Sequence, residues 1–258
     1  MNKDYFKKAQ KWLLEEKYNN QVSSNFKKDL ARLKQGEPLD YLIGFCYFLD
    51  CKINLSFRPL IPRAETEYWV EKAFDEIKKE IEGVLPQKEI VCLDMFAGSG
   101  CIGVSLLKNF PGLKADFTEK NGDFLKQIKV NLKINGINAK RYRVIKSNVF
   151  SRLDKKRKYD YIFANPPYVS VRRKSKVERS VLKWEPAQAI FGGKDGLLYI
   201  KKFLKEAKNF LQPTGKIYLE FDSFQKKAIE KLIKDYGYKT CRVFKDQYGR
   251  WRYLTCGL

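Results

Sequence analysis

The sequence predicts an α/β protein: an open, mostly parallel sheet with a small helical cap at its N-terminal end. Three observations predict it. From residue 90 onward, short apolar and aromatic runs alternate with helix-period segments. A glycine-rich turn, "DMFAGSG", separates the first of these strands from the first of these helices. The last two strand runs are joined by "KDQYGR", too short for a crossover helix, so they pair antiparallel at one side of the sheet.

Ahead of the sheet, residues 4–35 carry two apolar stripes, Phe6-Ala9-Leu13 and Val22-Phe26-Leu30-Leu33. Their i, i+3, i+4 spacing predicts two amphipathic helices, and residues 1–36 form the cap. "GEPLDYLIGFCYFLDCKINLSF" alternates aromatic and aliphatic residues around turn signals, which predicts a short hairpin in a linking segment, 37–70. The main domain then spans 71–258. Its strands are expected at 90–95, 114–118, 141–146, 158–163, 215–221, 238–244 and 251–256. Residues 168–194 break the rhythm as a long, mostly irregular stretch before a helix starting near Asp195, and long loops inside compact domains usually carry function.

Composition bounds the chemistry. Hydrophobic content of 44% with 14% aromatics over 258 residues excludes a disordered chain, and there is no run of 18 apolar residues to cross a bilayer. The opening "MNKDYFKKAQKWLLEEKYNN" lacks a secretory apolar segment, and its acidic residues argue against a transit peptide, so a soluble, cytoplasmic protein without membrane contact is expected. Six cysteines (Cys46, Cys51, Cys92, Cys101, Cys241, Cys256) are scattered without a C-x-x-C pair, and there is no histidine. Neither a metal site nor a disulfide framework is signalled, and imidazole-dependent nucleophilic couples are excluded. The net charge of +22 favours an anionic partner such as RNA, a ribonucleoprotein or an acidic protein; the alternative is lysine spread over solvated faces.

Two motifs carry candidate chemistry. In "VCLDMFAGSGCIGVSLL", Gly98 and Gly100 let the backbone approach a ligand, and the helix that follows presents free N–H groups. Glu119 ends the second strand about twenty residues on, where nucleotide folds place an acid on ribose hydroxyls. "YDYIFANPPYVS" reads as a buried strand stopped by Pro166 and Pro167, with Asn165 held at its tip. A carboxamide nitrogen is a poor nucleophile because its lone pair is delocalised. The Asn165 side-chain oxygen and the Pro166 carbonyl can each accept one N–H and turn that lone pair outward, while the Tyr168 ring packs on the amide plane.

Taken in this order, the glycine turn, Glu119 and Asn165-Pro166-Pro167-Tyr168 resemble a class I S-adenosylmethionine-dependent methyltransferase acting on a planar amide or amino nitrogen. "PLIPRAETE" (59–67) and "WEPAQAIFGGKDGL" (184–197) are similar to the HemK-type protein-(glutamine-N5) methyltransferases that modify peptide chain release factors, a resemblance running from about Gly36 onward. It implies a Rossmann-like seven-stranded sheet with a C-terminal antiparallel hairpin, S-adenosyl-L-methionine as cofactor, and a release factor as partner of a monomeric enzyme. It assigns Phe96, Ala97, Gly98, Ser99 and Gly100 to the methionine part of the cofactor, Glu119 to its ribose, and Asn148 and Val149 to its adenine, with Asn165 beside it. Asn165, Pro166, Pro167 and Tyr168 would hold the substrate glutamine, with Asn165, Pro166 and Tyr168 catalytic. The chain departs from the family pattern at Ala64, where proline is usual, in "MFAGSG", at Asn148, where aspartate is usual, and in its short cap.

Two other readings share these residues. An adenine-N6 methyltransferase on DNA or RNA uses the same Asn-Pro-Pro-Tyr logic on an exocyclic amine and suits the basic balance, though it would need base flipping and a recognition surface. A non-enzymatic RNA-binding module would account for the charge alone. The basic clusters at stake are Lys140, Arg141, Arg143 and Lys146; Arg152 with Lys155 to Lys158; and Arg172, Arg173, Lys174 and Lys176 just after Tyr168.

Overall fold

The computed structural model describes residues 3–82 and 89–258. Helices α1 (Lys3–Tyr18), α2 (Ser24–Lys34) and α3 (Leu39–Ile43) close on a small core of Ala9, Leu13, Phe26, Leu33, Leu39 and Leu42, so the cap reaches past residue 36. Ser23 caps α2 by accepting the Phe26 N–H, which leaves Val22 outside the helix and exposed rather than on the expected stripe.

A hairpin follows, β1 (Phe45–Phe48) and β2 (Cys51–Asn54), then α4 (Ala64–Ile81). That helix runs unbroken across residues 70 and 71, where the sequence put a boundary, because its buried stripe of Trp69, Val70, Ala73 and Ile77 belongs to the main core. Trp69 stacks with Phe163, Tyr218 and Tyr253 of the sheet.

The remaining elements are β3 (Ile90–Met95), α5 (Cys101–Asn109), β4 (Leu113–Glu119), α6 (Gly122–Ile134), β5 (Tyr142–Lys146), β6 (Tyr159–Ala164), α7 (Arg179–Trp184), α8 (Ala187–Ile190), α9 (Leu198–Ala207), β7 (Leu211–Glu220), α10 (Lys226–Asp235), β8 (Thr240–Lys245) and β9 (Trp251–Gly257). Seven of the strands form one sheet in the order β5-β4-β3-β6-β7-β9-β8. The first five are parallel; β9 lies antiparallel between β7 and β8, as the short connection requires. Every residue of β3 and β6 is buried, since helices cover both faces of the sheet. One face packs α4, α5, α6 and the hairpin, and the other packs α9 and α10.

Two expectations from the sequence are corrected. Residues 168–194 are not irregular: they fold into a 3-10 turn over Val171–Lys176 and the short helices α7 and α8, and the next helix begins at Leu198. Each piece is too short to carry a readable period. Cys241 and Cys256, where the sequence signals no disulfide framework, are cross-strand partners on β8 and β9 and form a disulfide; the hairpin register, not a sequence motif, brings them together.

The hairpin docks on the main body through amides. Gln127, Asn131 and Asn135 recur at four-residue spacing along α6 and its C-terminal end, all buried. Asn135 accepts the Lys52 N–H and donates to the Lys52 carbonyl; Asn131 does the same for Asn54, and Gln127 accepts the Phe57 N–H. The outer edge of β2 is therefore paired by side chains as a neighbouring strand would pair it. Asn131 also donates to the Ser99 carbonyl at 2.8 Å, tying this ladder to the glycine turn.

Gly103, inside α5, lies under the Phe117 ring, and a Cβ there would stand 2.3 Å from its nearest carbon. Alanine would gain about 1 kcal/mol of helix propensity, but overpacking a closed core costs roughly 1–3 kcal/mol. Gly103→Ala is therefore expected to lower stability in urea unfolding despite its better propensity.

Candidate active site

The carboxyl ends of β3, β4, β5 and β6 point to one edge of the sheet, and the chain winds outward in opposite directions from the gap between β3 and β6. In doubly wound sheets that gap opens a crevice for ligands. Here it is a cleft of about 960 Å³ including its open mouth, with Phe96, Gly98, Glu119, Val149, Asn165 and Tyr199 among the residues lining it.

The floor of the cleft is conformationally costly. Phe96 and Val149 have φ of 61° and 55°, in the left-handed region that non-glycine residues avoid at about 1–3 kcal/mol each, and Gly98 and Gly100 lie there too. Glu119 holds the turn: its Oε2 accepts the Gly98 N–H at 3.0 Å, and its Oε1 accepts those of Lys120 and Asn121. Oε1 has both of its lone pairs taken, and Oε2 keeps one for a hydroxyl. Ala97, Ser99 and Asn148 also line the cleft. Gly100 does not; a Cβ there would press on Ile128, so this glycine serves helix packing.

Asp94, absent from the sequence reading, is buried at the cleft and accepts the Gly103 N–H at 2.9 Å. Burial pushes its carboxyl up to about 7, with the charge of Glu119 adding to the rise and the Gly103 N–H opposing it. A lone acid in the apolar run "IVCLDM" was the available signal.

At the tip of β6, Asn165 and Pro167 line the cleft, whereas Pro166 is buried and outside its lining. Tyr168 also lies outside it. Its hydroxyl donates to Glu220 Oε1 at 2.8 Å, and Glu220 Oε2 accepts Trp69 Nε1–H at 2.6 Å and the Thr66 hydroxyl at 2.7 Å. Thr66 in turn accepts Asn165 Nδ2–H at 3.2 Å. Tyr168 thus anchors the motif from behind through its hydroxyl.

The two flanking motifs meet physically. Glu185 of "WEPAQ" is buried and pairs with Arg63 of "PLIPRAETE" at 2.6 Å, also accepting the Ile61 N–H. The glycines of "IFGGKDG" form a strap over the strand tip. A Cβ on Gly192 would lie 2.3 Å from the Pro167 carbonyl and one on Gly196 2.1 Å from that of Tyr168, while Gln225 donates to the Tyr168 carbonyl.

The comparisons with known proteins agree with this architecture. A model of the methyltransferase small domain matches residues 72–185. The chain is 34% identical over 246 residues to a bifunctional methyltransferase of Rickettsia prowazekii, an alignment covering 89% of this chain and 47% of that protein, so it spans about half the length of such relatives. It is 34% identical over 218 residues to a release factor glutamine methyltransferase of Thermodesulfovibrio yellowstonii, covering 84% of this chain and 75% of that one. The chain belongs to the release factor glutamine methyltransferase family. The N-terminal domain of human METTL16, solved with SAH, shares the fold at a TM-score of 0.58 over 98% of this chain and 93% of that one, with 15% identity.

In this family member several residues of the basic clusters are structural. Arg141 donates to the carbonyls of Leu113 and Phe110, and Arg143 and Arg157 pair with buried Asp116 inside the sheet. Arg172, Lys174 and Lys176 remain exposed, while Arg173 lies over the ring of exposed Phe224.

Tyr168→Phe removes one donor from the buried Glu220 carboxylate and is expected to cost about 1–3 kcal/mol in denaturant unfolding. Asp94 makes a separate prediction. Its folded pKa lies above the unfolded aspartate value near 4, so its contribution to stability is fullest below about pH 4 and is lost as pH rises toward 7. Urea midpoints measured between pH 4 and 8 should fall less steeply in Asp94→Asn than in wild type.

Proposed function

We propose that this family member transfers a methyl group from S-adenosyl-L-methionine to the side-chain amide nitrogen (N5) of the glutamine in the Gly-Gly-Gln loop of a peptide chain release factor. The observation that carries the reading is Asn165 on the cleft wall with its Nδ2 bound to Thr66, which leaves an acceptor oxygen for an incoming N–H.

The residues lining the cleft fit the cofactor. Asp94 and Glu119 supply carboxylates suited to a cationic amino group and a ribose hydroxyl, and Phe96, Val149 and Tyr199 give apolar walls for an adenine. When bound, S-adenosylmethionine supplies a methyl group on a positively charged sulfur. The chain's own residues prepare the nitrogen. Asn165 Oδ1 accepts an amide hydrogen, holds the nitrogen lone pair toward the cofactor side, and stabilises positive charge as it grows there. The methylated nitrogen becomes acidic and loses its proton to water or a nearby acceptor, so no imidazole is required.

Incubating the purified chain with S-adenosylmethionine and a Gly-Gly-Gln release factor, followed by mass spectrometry, should show one added methyl group on the loop glutamine. Asn165→Ala should lower turnover by roughly 10²-fold or more while calorimetry finds cofactor affinity nearly unchanged. Methylation of adenine-containing nucleic acid with an untouched release factor would overturn the reading in favour of an adenine-N6 enzyme.

A further inference from the structure

We propose that Thr66 and Glu220 are positioning residues that fix which end of the Asn165 amide faces the cleft, so that the site receives a nitrogen bearing hydrogens and refuses a carboxylate. The inference rests on the amide-methylation reading for its choice of substrate.

The direction of each hydrogen bond follows from the one before it. Glu220 is 1% exposed, and its carboxylate offers acceptors only. Trp69 Nε1–H, which can only donate, takes one place on Oε2 at 2.6 Å, and Thr66 Oγ1 takes another at 2.7 Å. The single hydroxyl hydrogen of Thr66 is therefore committed to Glu220. Toward Asn165, 3.2 Å away, Thr66 can only accept, and only the Nδ2 end of the amide has hydrogen to give. Oδ1 is left to the cleft that Asn165 lines.

An Asn side chain has two ends of nearly equal shape, so without this anchor a half-turn about its last torsion would present Nδ2 to the substrate. Two N–H groups would then face each other, and the amide nitrogen would lose the acceptor that orients it. With Oδ1 outward, a glutamine amide offers matching hydrogens. A glutamate side chain offers only oxygens, and a polar site left unpaired rejects such an analogue strongly. The polarity of one buried carboxylate is thus passed through two side chains to the substrate.

Thr66→Val, Thr66→Ser and Glu220→Gln test the relay. Thr66→Val keeps the shape and loses the hydroxyl, and kcat should fall by roughly 10²-fold, with KM and calorimetric cofactor affinity staying within about twofold. Thr66→Ser, which retains the hydroxyl, should recover most of the turnover. Glu220→Gln must keep its oxygen where Trp69 Nε1–H donates, the same place Thr66 uses, and turn its NH2 toward the Tyr168 hydroxyl, so it preserves the direction of the chain and should retain most of the turnover. Wild-type turnover in Thr66→Val, loss of turnover in Glu220→Gln as large as in Thr66→Val, or failure of Thr66→Ser to rescue, would overturn the proposal. A second readout is independent of the substrate: in ¹⁵N-labelled protein the Asn165 side-chain N–H protons should exchange slowly in wild type and Thr66→Ser and rapidly in Thr66→Val. Equal exchange in all three overturns the relay, whereas slow exchange in wild type alongside an unmodified release factor would instead reject the methylation reading and keep the relay.

Discussion

A carboxylate taken out of water must find its partners inside the protein or cost several kcal/mol. Glu220, at the end of β7, is buried behind the cleft and finds them on α4 and on the chain leaving β6, with the Arg252 charge of β9 nearby. Burial raises its pKa, and these neighbours pull the other way. The stretch "PLIPRAETE" leads into α4, and Tyr168 closes the Asn-Pro-Pro-Tyr motif, so two motifs about a hundred residues apart converge on one acid. The back of the cleft is rigid because none of these donors can leave without stranding the charge.

The rim is built on a different principle, backbone approach. Gly192 and Gly196 allow the strap to lie against the carbonyls of Pro167 and Tyr168, and backbone hydrogen bonds from Val169 to Ile190 and from Gly192 to Val169 hold it there. The Arg63–Glu185 pair joins the same region to the segment before α4. The strand tip is thereby clamped from both sides while its one polar side chain on the cleft stays open to it.

Much of this was legible in the sequence. The alternation of strands and helices needs only local periodicity, and the short "KDQYGR" connection fixes the antiparallel end. Asn165, Gly98 and Glu119 announce themselves because each sits beside a backbone break whose chemistry is local. The partners of Asn165 do not. Thr66 reads as one more residue of an amphipathic helix, and Glu220 gains its meaning only when segments 154 residues apart meet. The anchoring of the Tyr168 hydroxyl is hidden for the same reason, since its acid partner, Glu220, lies on a distant strand. The pairing of Cys241 with Cys256 depends likewise on strand register, and the segments of residues 168–194 take their helical form from what they pack against.

The amide ladder on α6 has a geometric consequence of its own. Four residues of helix advance by about 6.0 Å, and two residues of strand by about 6.8 Å. Asn131 and Asn135 stand four apart on the helix, and Lys52 and Asn54 stand two apart on the strand. A helix can therefore impersonate a strand partner over a couple of rungs before the two rulers drift apart by a sizeable part of a hydrogen bond's tolerance. The next rung, from Gln127, meets the chain not at the following alternate residue but at Phe57, beyond the point where the strand has ended. The hairpin is kept short by this vernier mismatch: a longer β2 would outrun the helix that satisfies its edge and would leave backbone groups unpaired.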